Sequence, residues 1–134
     1  MTLIAQFLQT QYRQQIHVAR LAAAKTGNAR WKPDWRMLSS EHFDARVLGG
    51  DQEPLFDGYG EIVTAEYVVS HDPFRTIADV EAKLNIVHRH AACGTGSGYC
   101  DDGGHPLEGG GCADLADLAR PFAGHPAYRP EWRQ

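Results

Sequence analysis

Residue patterns that assign an enzyme class are absent from this chain of 134 residues. It has no Gly-x-Ser-x-Gly nucleophile elbow and no His-Glu-x-x-His pair. The Gly-x-Gly-x-Gly run that starts at Gly94 resembles part of a phosphate-binding loop, but it follows a predicted helix and lacks the Gly-Lys-Ser/Thr ending. Asp72, which precedes Pro73, is better explained as a helix cap than as a catalytic acid. We therefore predict that the protein is not an enzyme.

Long apolar runs and an excess of basic residues are also missing. No stretch approaches the roughly 18 apolar residues of a membrane span. The first 15 residues have no basic leader, and glutamines interrupt their apolar positions, which is not typical of a secretory signal. The formal net charge of −4 argues against binding nucleic acid through bulk positive charge. We expect a cytoplasmic protein that does not bind membranes.

Cysteine is scarce, and all of it lies in one glycine-rich stretch. The chain has three cysteines, Cys93, Cys100 and Cys112, without the Cys-x2-Cys pair that makes most zinc predictions specific. Three thiols cannot all pair within the chain, and a reducing cytosol disfavours disulfides. Eight of the 14 glycines lie between Gly94 and Gly111. A loop of this composition cannot pack through its own side chains, so something else must hold it.

Three thiols and one imidazole are the usual ligands of a structural zinc site. His90 and Cys93 are three residues apart, which places them on one side of the last turn of a predicted helix. Cys112 begins the next predicted helix, where the helix dipole favours a thiolate. We predict a closed, structural Zn²⁺ site formed by His90, Cys93, Cys100 and Cys112.

Several alternatives remain open at this point. His105 and then His88 are substitute candidates for the nitrogen ligand. A second interpretation is that the three thiols are unlinked, with Cys112 buried at a helix start and the Gly-rich loop mobile. A third is that Cys93 and Cys100 pair by oxidation on purification. A catalytic zinc would need an open coordination position and a general base, for which the Asp101-Asp102 pair is the candidate. A solvated charge run is the favoured interpretation of that pair.

Hydrophobic periodicity predicts a single α+β domain, in which a long N-terminal helix and a central helix pack with a small antiparallel sheet. Thr2 is the expected N-cap of the first helix and Gly27-Asn28 its end. A zinc-stabilised Gly-rich loop leads to a short C-terminal helix and an extended tail. The predicted elements are a helix over 2–25, a strand or hairpin region over 31–63, a helix over 73–91, the Gly-rich Cys/His loop over 93–111, a short helix over 112–120 and the extended tail over 121–134.

The strand region is predicted to form a hairpin. Residues 42–48 alternate loosely between apolar and polar positions, Gly49-Gly50-Asp51 turns the chain, and residues 54–63 return as the partner strand. The following segment, 64–70, has strand-forming Tyr and Val residues but also a favourable helix start, and we predict a short helix there.

The C-terminal tail combines aromatic and basic residues. Aromatic rings in a tail more often fasten the terminus to the core than bind a partner. The alternative is a partner surface that stacks a nucleic-acid base or fills a protein groove. Its candidate residues are Arg120, Tyr128, Arg129, Trp132 and Arg133.

Two segments resemble a known family, a domain of unknown function found in actinobacteria such as streptomycetes and in their phages. The resemblance implies that His90 is the histidine that ends the central helix in that family. Members often carry a Cys-x2-Cys pair in the loop, whereas here six residues separate Cys93 from Cys100, and Gly103 stands where a second cysteine might follow. No activity is established for the family. The matching residues are His71-Asp72-Pro73, Arg75, Glu81-Ala82-Lys83 and the run from Pro121 to Trp132, which contains His-Pro-x-Tyr-x-x-Glu-Trp.

These observations predict a small zinc-binding protein of actinobacterial or phage type. The favoured function is a non-enzymatic binding or regulatory module whose partner is a host protein or the protein itself. A nucleic-acid-associated zinc protein is the alternative, with the tail as its contact surface. A metal-dependent hydrolase is the least favoured, because it needs a water molecule on the ion and a nearby carboxylate that does not bind the metal.

Overall fold

The computed structural model describes residues 1–39, 42–55, 62–101 and 111–133. In these ranges the fold is mixed and dominated by four α-helices, with two paired strands and two short 3₁₀ turns. The 3₁₀ turns cover Arg120–Phe122 and Pro130–Trp132. The helices and strands, in chain order, are α1 (Leu3–Lys25), β1 (Lys32–Ser39), β2 (His42–Leu48), α2 (Ile62–Ser70), α3 (Pro73–His90) and α4 (Ala113–Ala119).

The residues group into two compact units. The first unit contains Met1–Gln14 and Val80–Gln134, and the second contains Gln15–Asp79. The apolar side chains buried in the first unit include Leu8, Val87 and Leu115. Those of the second unit centre on Val47 and Ala65, against which Trp31, Leu55, Val68 and Val69 pack.

Helix α1 begins and ends close to the predicted positions, but its predicted N-cap does not form as expected. The Thr2 carbonyl accepts a hydrogen bond from the Gln6 amide at 3.0 Å, whereas the buried Thr2 hydroxyl finds no partner among the described residues. The Thr2 amide is tied instead to the Ala91 carbonyl at 2.9 Å. At the other end, Gly27 and Asn28 both have positive φ, 81° and 51°, a backbone conformation that terminates helices.

Asp72 caps helix α3 as the sequence predicts. Its Oδ1 accepts a hydrogen bond from the Arg75 amide at 2.9 Å, and its carbonyl accepts one from Thr76 at 2.9 Å. The side chain is fully buried, and its Oδ2 accepts a 2.6 Å hydrogen bond from Arg30 Nε. The cap and the ion pair together offset the cost of burying this carboxylate.

Strand β2 has the predicted limits, and the described residues show only the start of the predicted return strand. Strand β2 pairs antiparallel with β1, which precedes it, from Lys32 opposite Leu48 through Trp35 opposite Ala45. Beyond β2, the chain turns back for a single bridge between Leu48 and Pro54. The predicted return strand cannot continue to residue 63, because α2 already begins at Ile62. The rest of that segment, 56–61, lies outside the described residues.

The tail is not extended as predicted, at least over its described residues 121–133. Its two 3₁₀ turns each carry proline near the start, at Pro121 and Pro130, where a fixed φ suits the turn. These and intervening turns place four rings around Phe7, which is 9% exposed. The ring centroids lie 5.0 to 6.4 Å from that of Phe7, and the rings belong to Phe122, His125, Tyr128 and Trp132. Aromatic burial thus fastens the tail to α1 within the first unit.

Candidate metal centre

Three segments of the first unit bring the predicted ligands together. His90 is the last residue of α3, Cys93 follows it by one turn, Cys100 lies in the described part of the Gly-rich loop, and Cys112 immediately precedes α4. Each of the four residues is only 4 or 5% exposed. Their ligand atoms all lie within 4.8 Å of one another, and the three cysteines are free thiols. The group could therefore hold a metal ion.

Four of the six distances between the ligand atoms are close to those of a tetrahedral site. A Zn²⁺ ion with Zn–S bonds of about 2.3 Å and a Zn–N bond of about 2.0 to 2.1 Å separates its sulfurs by about 3.8 Å, and each sulfur from the nitrogen by about 3.6 Å. The Sγ atoms of Cys100 and Cys112 are 3.8 Å apart. His90 Nδ1 lies 3.6, 3.4 and 3.2 Å from the sulfurs of Cys93, Cys112 and Cys100.

The orientation of the His90 ring makes Nδ1 the nitrogen that could bind a metal ion together with the three sulfurs. Nδ1 faces the three sulfurs, whereas Nε2 lies 3.4 Å from Asp114 Oδ2. A metal bound at Nδ1 requires the proton to be on Nε2, where the Asp114 carboxylate is an acceptor within reach. The Tyr99 ring lies against the imidazole, with the two ring centroids 4.9 Å apart.

Burial perturbs the thiols of this cluster. Desolvation raises the pKa of Cys100 to about 12, and its interactions with Cys93 and Cys112 add to the increase. Desolvation also raises the pKa of Cys112, although a hydrogen bond from the Leu115 amide opposes the shift. Without a cation, burial therefore favours the neutral thiols of Cys100 and Cys112. Thiolates need a compensating positive charge here, and a divalent ion would supply it.

The Gly-rich loop carries an interaction that the sequence analysis missed. The Asp101 carboxylate accepts hydrogen bonds from the backbone amides of Gly94, Gly96 and Gly98, at 2.7, 2.9 and 2.7 Å. These bonds, that from Gly94 first, lower the pKa of Asp101. Asp101 is half-exposed, and these amides hold its carboxylate in place. The interaction could have been predicted from the Gly-x-Gly-x-Gly run and the acidic residue that follows it, because the backbone amides of such glycine runs bind anions.

The backbone between the first two cysteines closes on itself. The Cys100 amide donates to Cys93 Sγ at 3.4 Å, and the Cys93 amide donates to the His90 carbonyl at 3.0 Å. Gly98 is buried against the backbone of Ala92 and Cys93, so closely that a Cβ atom on Gly98 would overlap both. Glycine is therefore required at position 98 for a steric reason.

The substitute nitrogen ligands are not part of the described cluster. His88 is exposed on α3, two residues from His90. His105 lies outside the described residues, as does Asp102. The three cysteines are free thiols in the structure, and the alternative of oxidative pairing between Cys93 and Cys100 during purification stays untested by it.

The candidate partner surface in the tail is partly engaged in packing. Tyr128 and Trp132 are half-buried, with ring centroids 6.4 and 5.0 Å from Phe7. Arg120 lies 3.6 Å from Asp117, and Arg129 lies 3.6 Å from Glu131. Arg133 is exposed.

A cavity of about 360 Å³ borders the cluster on the side of Cys93 and Cys112. Leu3, Ile4 and Leu115 contribute apolar side chains to its wall. If all four donors bind one ion, a tetrahedral metal has no further position for water or substrate. The cavity then borders a closed site, which does not have the open position that metal-assisted hydrolysis requires.

None of the helices within the described ranges combines the length and the apolar character that a bilayer crossing requires.

Comparison with known proteins yields one match. A family model described as "Family of unknown function (DUF6221)" matches residues 1–134. No curated protein matches the chain. No solved structure matches it either.

Proposed function

The chain belongs to the family of unknown function DUF6221, and we propose that it is a non-enzymatic protein built around one structural zinc ion. No named relative supplies an activity, so the proposal rests on the site itself. The ion binds His90 Nδ1 and the sulfurs of Cys93, Cys100 and Cys112. The actinobacterial or phage origin implied by the resemblance stays a prediction.

The observation that carries the proposal is the agreement between the cluster and tetrahedral geometry. The sulfurs of Cys100 and Cys112 are 3.8 Å apart, and the three nitrogen–sulfur distances average near 3.4 Å with a spread of only 3.2 to 3.6 Å. Unlinked thiols have no reason to converge on one imidazole nitrogen in a buried position. The donor set also selects the metal, because soft thiolates with one imidazole favour zinc over magnesium, calcium or manganese.

The proposed role of the ion is to fasten together two helices that the Gly-rich loop separates. It joins the end of α3 to the start of α4 across a loop that has few side chains of its own to bury. Binding free energy at such a site becomes folding free energy, because the unfolded chain has no preformed site. Three ligating thiols also require a reducing compartment, which supports the proposed cytoplasmic location.

A protein is the partner class that we propose, either a host protein or a second copy of this chain. The net charge of −4 disfavours a nucleic-acid partner. The aromatic rings that would stack on bases, those of Tyr128 and Trp132, are half-buried around Phe7. A mobility-shift assay with DNA and RNA tests this part of the proposal, and a salt-dependent shift would contradict it.

Metal content of paired histidine variants tests the site. His90→Gln and His88→Gln change the same residue type two positions apart on α3, one buried and one exposed. Protein purified without added metal is analysed for its elements, alongside Cys112→Ser. We expect one zinc per chain in wild type and His88→Gln, and less than a tenth of that in His90→Gln and Cys112→Ser. Equal zinc in the two histidine variants, or a metal-free wild type, would contradict the proposal.

A further inference from the structure

The Asp101 carboxylate lies at the centre of the loop that supplies two of the four ligands. Its Oδ1 accepts a hydrogen bond from the Gly94 amide at 2.7 Å. Its Oδ2 accepts hydrogen bonds from the amides of Gly96 and Gly98, at 2.9 and 2.7 Å. One side chain thus satisfies three backbone donors that the Gly-rich sequence leaves without side-chain partners.

The backbone is shaped for this carboxylate. Gly94 and Gly96 have φ angles of 85° and 89°, in the region that side chains disfavour. Alternating residues of this kind turn successive amides inward and form a concave anion site, which in other proteins binds phosphate. Here the anion is the Asp101 carboxylate of the same loop, and its binding by the amides therefore stabilises the loop conformation.

Closing the loop also places the two cysteines. The Asp101 amide donates to the Gly98 carbonyl at 2.9 Å, and the Cys100 amide donates to Cys93 Sγ at 3.4 Å. Asp101, which accepts hydrogen bonds from three glycine amides, therefore directly follows Cys100 in the chain. Its contacts bring the backbone back toward Cys93.

We infer that Asp101 is a positioning residue of the metal site: by binding the amides of Gly94, Gly96 and Gly98 it closes the loop and presents Cys93 and Cys100 to the ion. The inference rests on the proposed zinc site and extends it. The loop is then ordered by its own carboxylate before zinc binds, rather than by the metal alone. Asp101 itself does not touch the ion.

Asp101→Asn is the discriminating variant, because an amide keeps the size of the side chain but offers one acceptor oxygen instead of two. Its NH₂ group must then face a backbone donor. Asp101→Glu retains the charge on a longer arm and should restore part of the function. Asp117→Asn is the matched control, since Asp117 is 74% exposed and lies in α4 with Arg120 as its ion-pair partner.

Two readouts separate positioning from general stability. In competition with a chromophoric chelator, zinc affinity should fall about 10- to 100-fold in Asp101→Asn, less in Asp101→Glu and not at all in Asp117→Asn. In the metal-free wild type, the amide protons of Gly94, Gly96 and Gly98 should show downfield NMR shifts and slow exchange, both lost in Asp101→Asn.

The outcomes distinguish this inference from the zinc proposal. A wild-type protein that binds no zinc overturns the proposed function. A wild-type protein that binds zinc no more tightly than Asp101→Asn leaves that function standing and overturns the positioning role. Glycine amides that shift and exchange alike in the two metal-free proteins also overturn it.

Discussion

A graded series of glycine substitutions tests how the loop conformation controls metal binding. The three positions differ in what an added methyl group would meet. At Gly98, a Cβ atom would overlap the backbone of Ala92 and Cys93, which cannot rotate away. At Gly96, the space is open but φ is +89°, and at Gly111 the space is open with φ outside the left-handed region.

The expected magnitudes follow from these surroundings. Overpacking against fixed neighbours costs about 1 to 3 kcal/mol, and a non-glycine residue in the left-handed region costs about 1 to 2 kcal/mol. Since zinc binds the closed loop, the cost of closing it subtracts from the binding free energy, at about 1.4 kcal/mol per tenfold change. Gly98→Ala should therefore weaken zinc binding about 5- to 150-fold, Gly96→Ala about 5- to 30-fold, and Gly111→Ala by less than about twofold.

Chelator competition on the three purified variants measures these affinities under one condition. Circular dichroism of each zinc-loaded protein checks that the helices are retained. The reasoning would be refuted if Gly98→Ala bound zinc as tightly as Gly111→Ala, because the close approach of Gly98 to the Ala92–Cys93 backbone would then have no role in holding the ligands.

Three further expectations concern stability. Leu8→Ala, at a fully buried position of α1, should lower the free energy of unfolding in urea by about 2 to 5 kcal/mol, and an effect below about 1 kcal/mol would contradict its place in the core. Asp72→Ala removes both the cap of α3 and the partner of Arg30, and should cost about 2 kcal/mol by the same assay, whereas no loss would mean that solvent replaces both contacts. The amide partners of Asp101 lower its pKa in the folded chain, so the carboxylate stabilises the fold at pH values above its unfolded pKa, and this stabilisation is lost as pH falls through the folded pKa. The loss of thermal stability of the metal-free protein at acid pH should therefore be smaller in Asp101→Asn than in wild type. Identical profiles of melting temperature against pH in the two proteins would contradict this expectation.

Local signals explain why the helices and the cluster could be predicted. The apolar repeat and the Asp72-Pro73 start define α3 within its own sequence, and the end of that helix fixes His90 beside Cys93. The spacing of three residues places both on one side of a turn, whatever the rest of the chain does. Scarcity of cysteine helped, because three thiols left few combinations.

The errors come from choices that depend on distant parts of the chain. Residues 42–48 are correctly predicted as a strand, but they pair along their length with β1, and among the described residues the chain that follows adds only a bridge between Leu48 and Pro54. The tail has proline-rich sequence typical of extended chain, yet Phe7 of α1 offers a ring surface that favours successive turns. The local sequence of residues 42–48 does not predict their pairing strand, and the local sequence of the tail does not predict its contact with Phe7.

The role of Asp101 could not be predicted from composition, because its carboxylate binds backbone amides rather than side chains. The sequence marks it only as one of two adjacent acidic residues after a glycine run. What decides its role is the positive φ at Gly94 and Gly96, which turns their amides toward one point. Glycine permits that conformation without requiring it.

X-ray absorption at the zinc edge of the purified protein tests the central claim most directly. The site predicts three sulfur neighbours at about 2.3 Å and one nitrogen neighbour at about 2.0 to 2.1 Å, with outer-shell scattering from a single imidazole. A first shell made only of oxygen and nitrogen, or one with fewer than three sulfurs, would show that His90, Cys93, Cys100 and Cys112 do not bind one ion together.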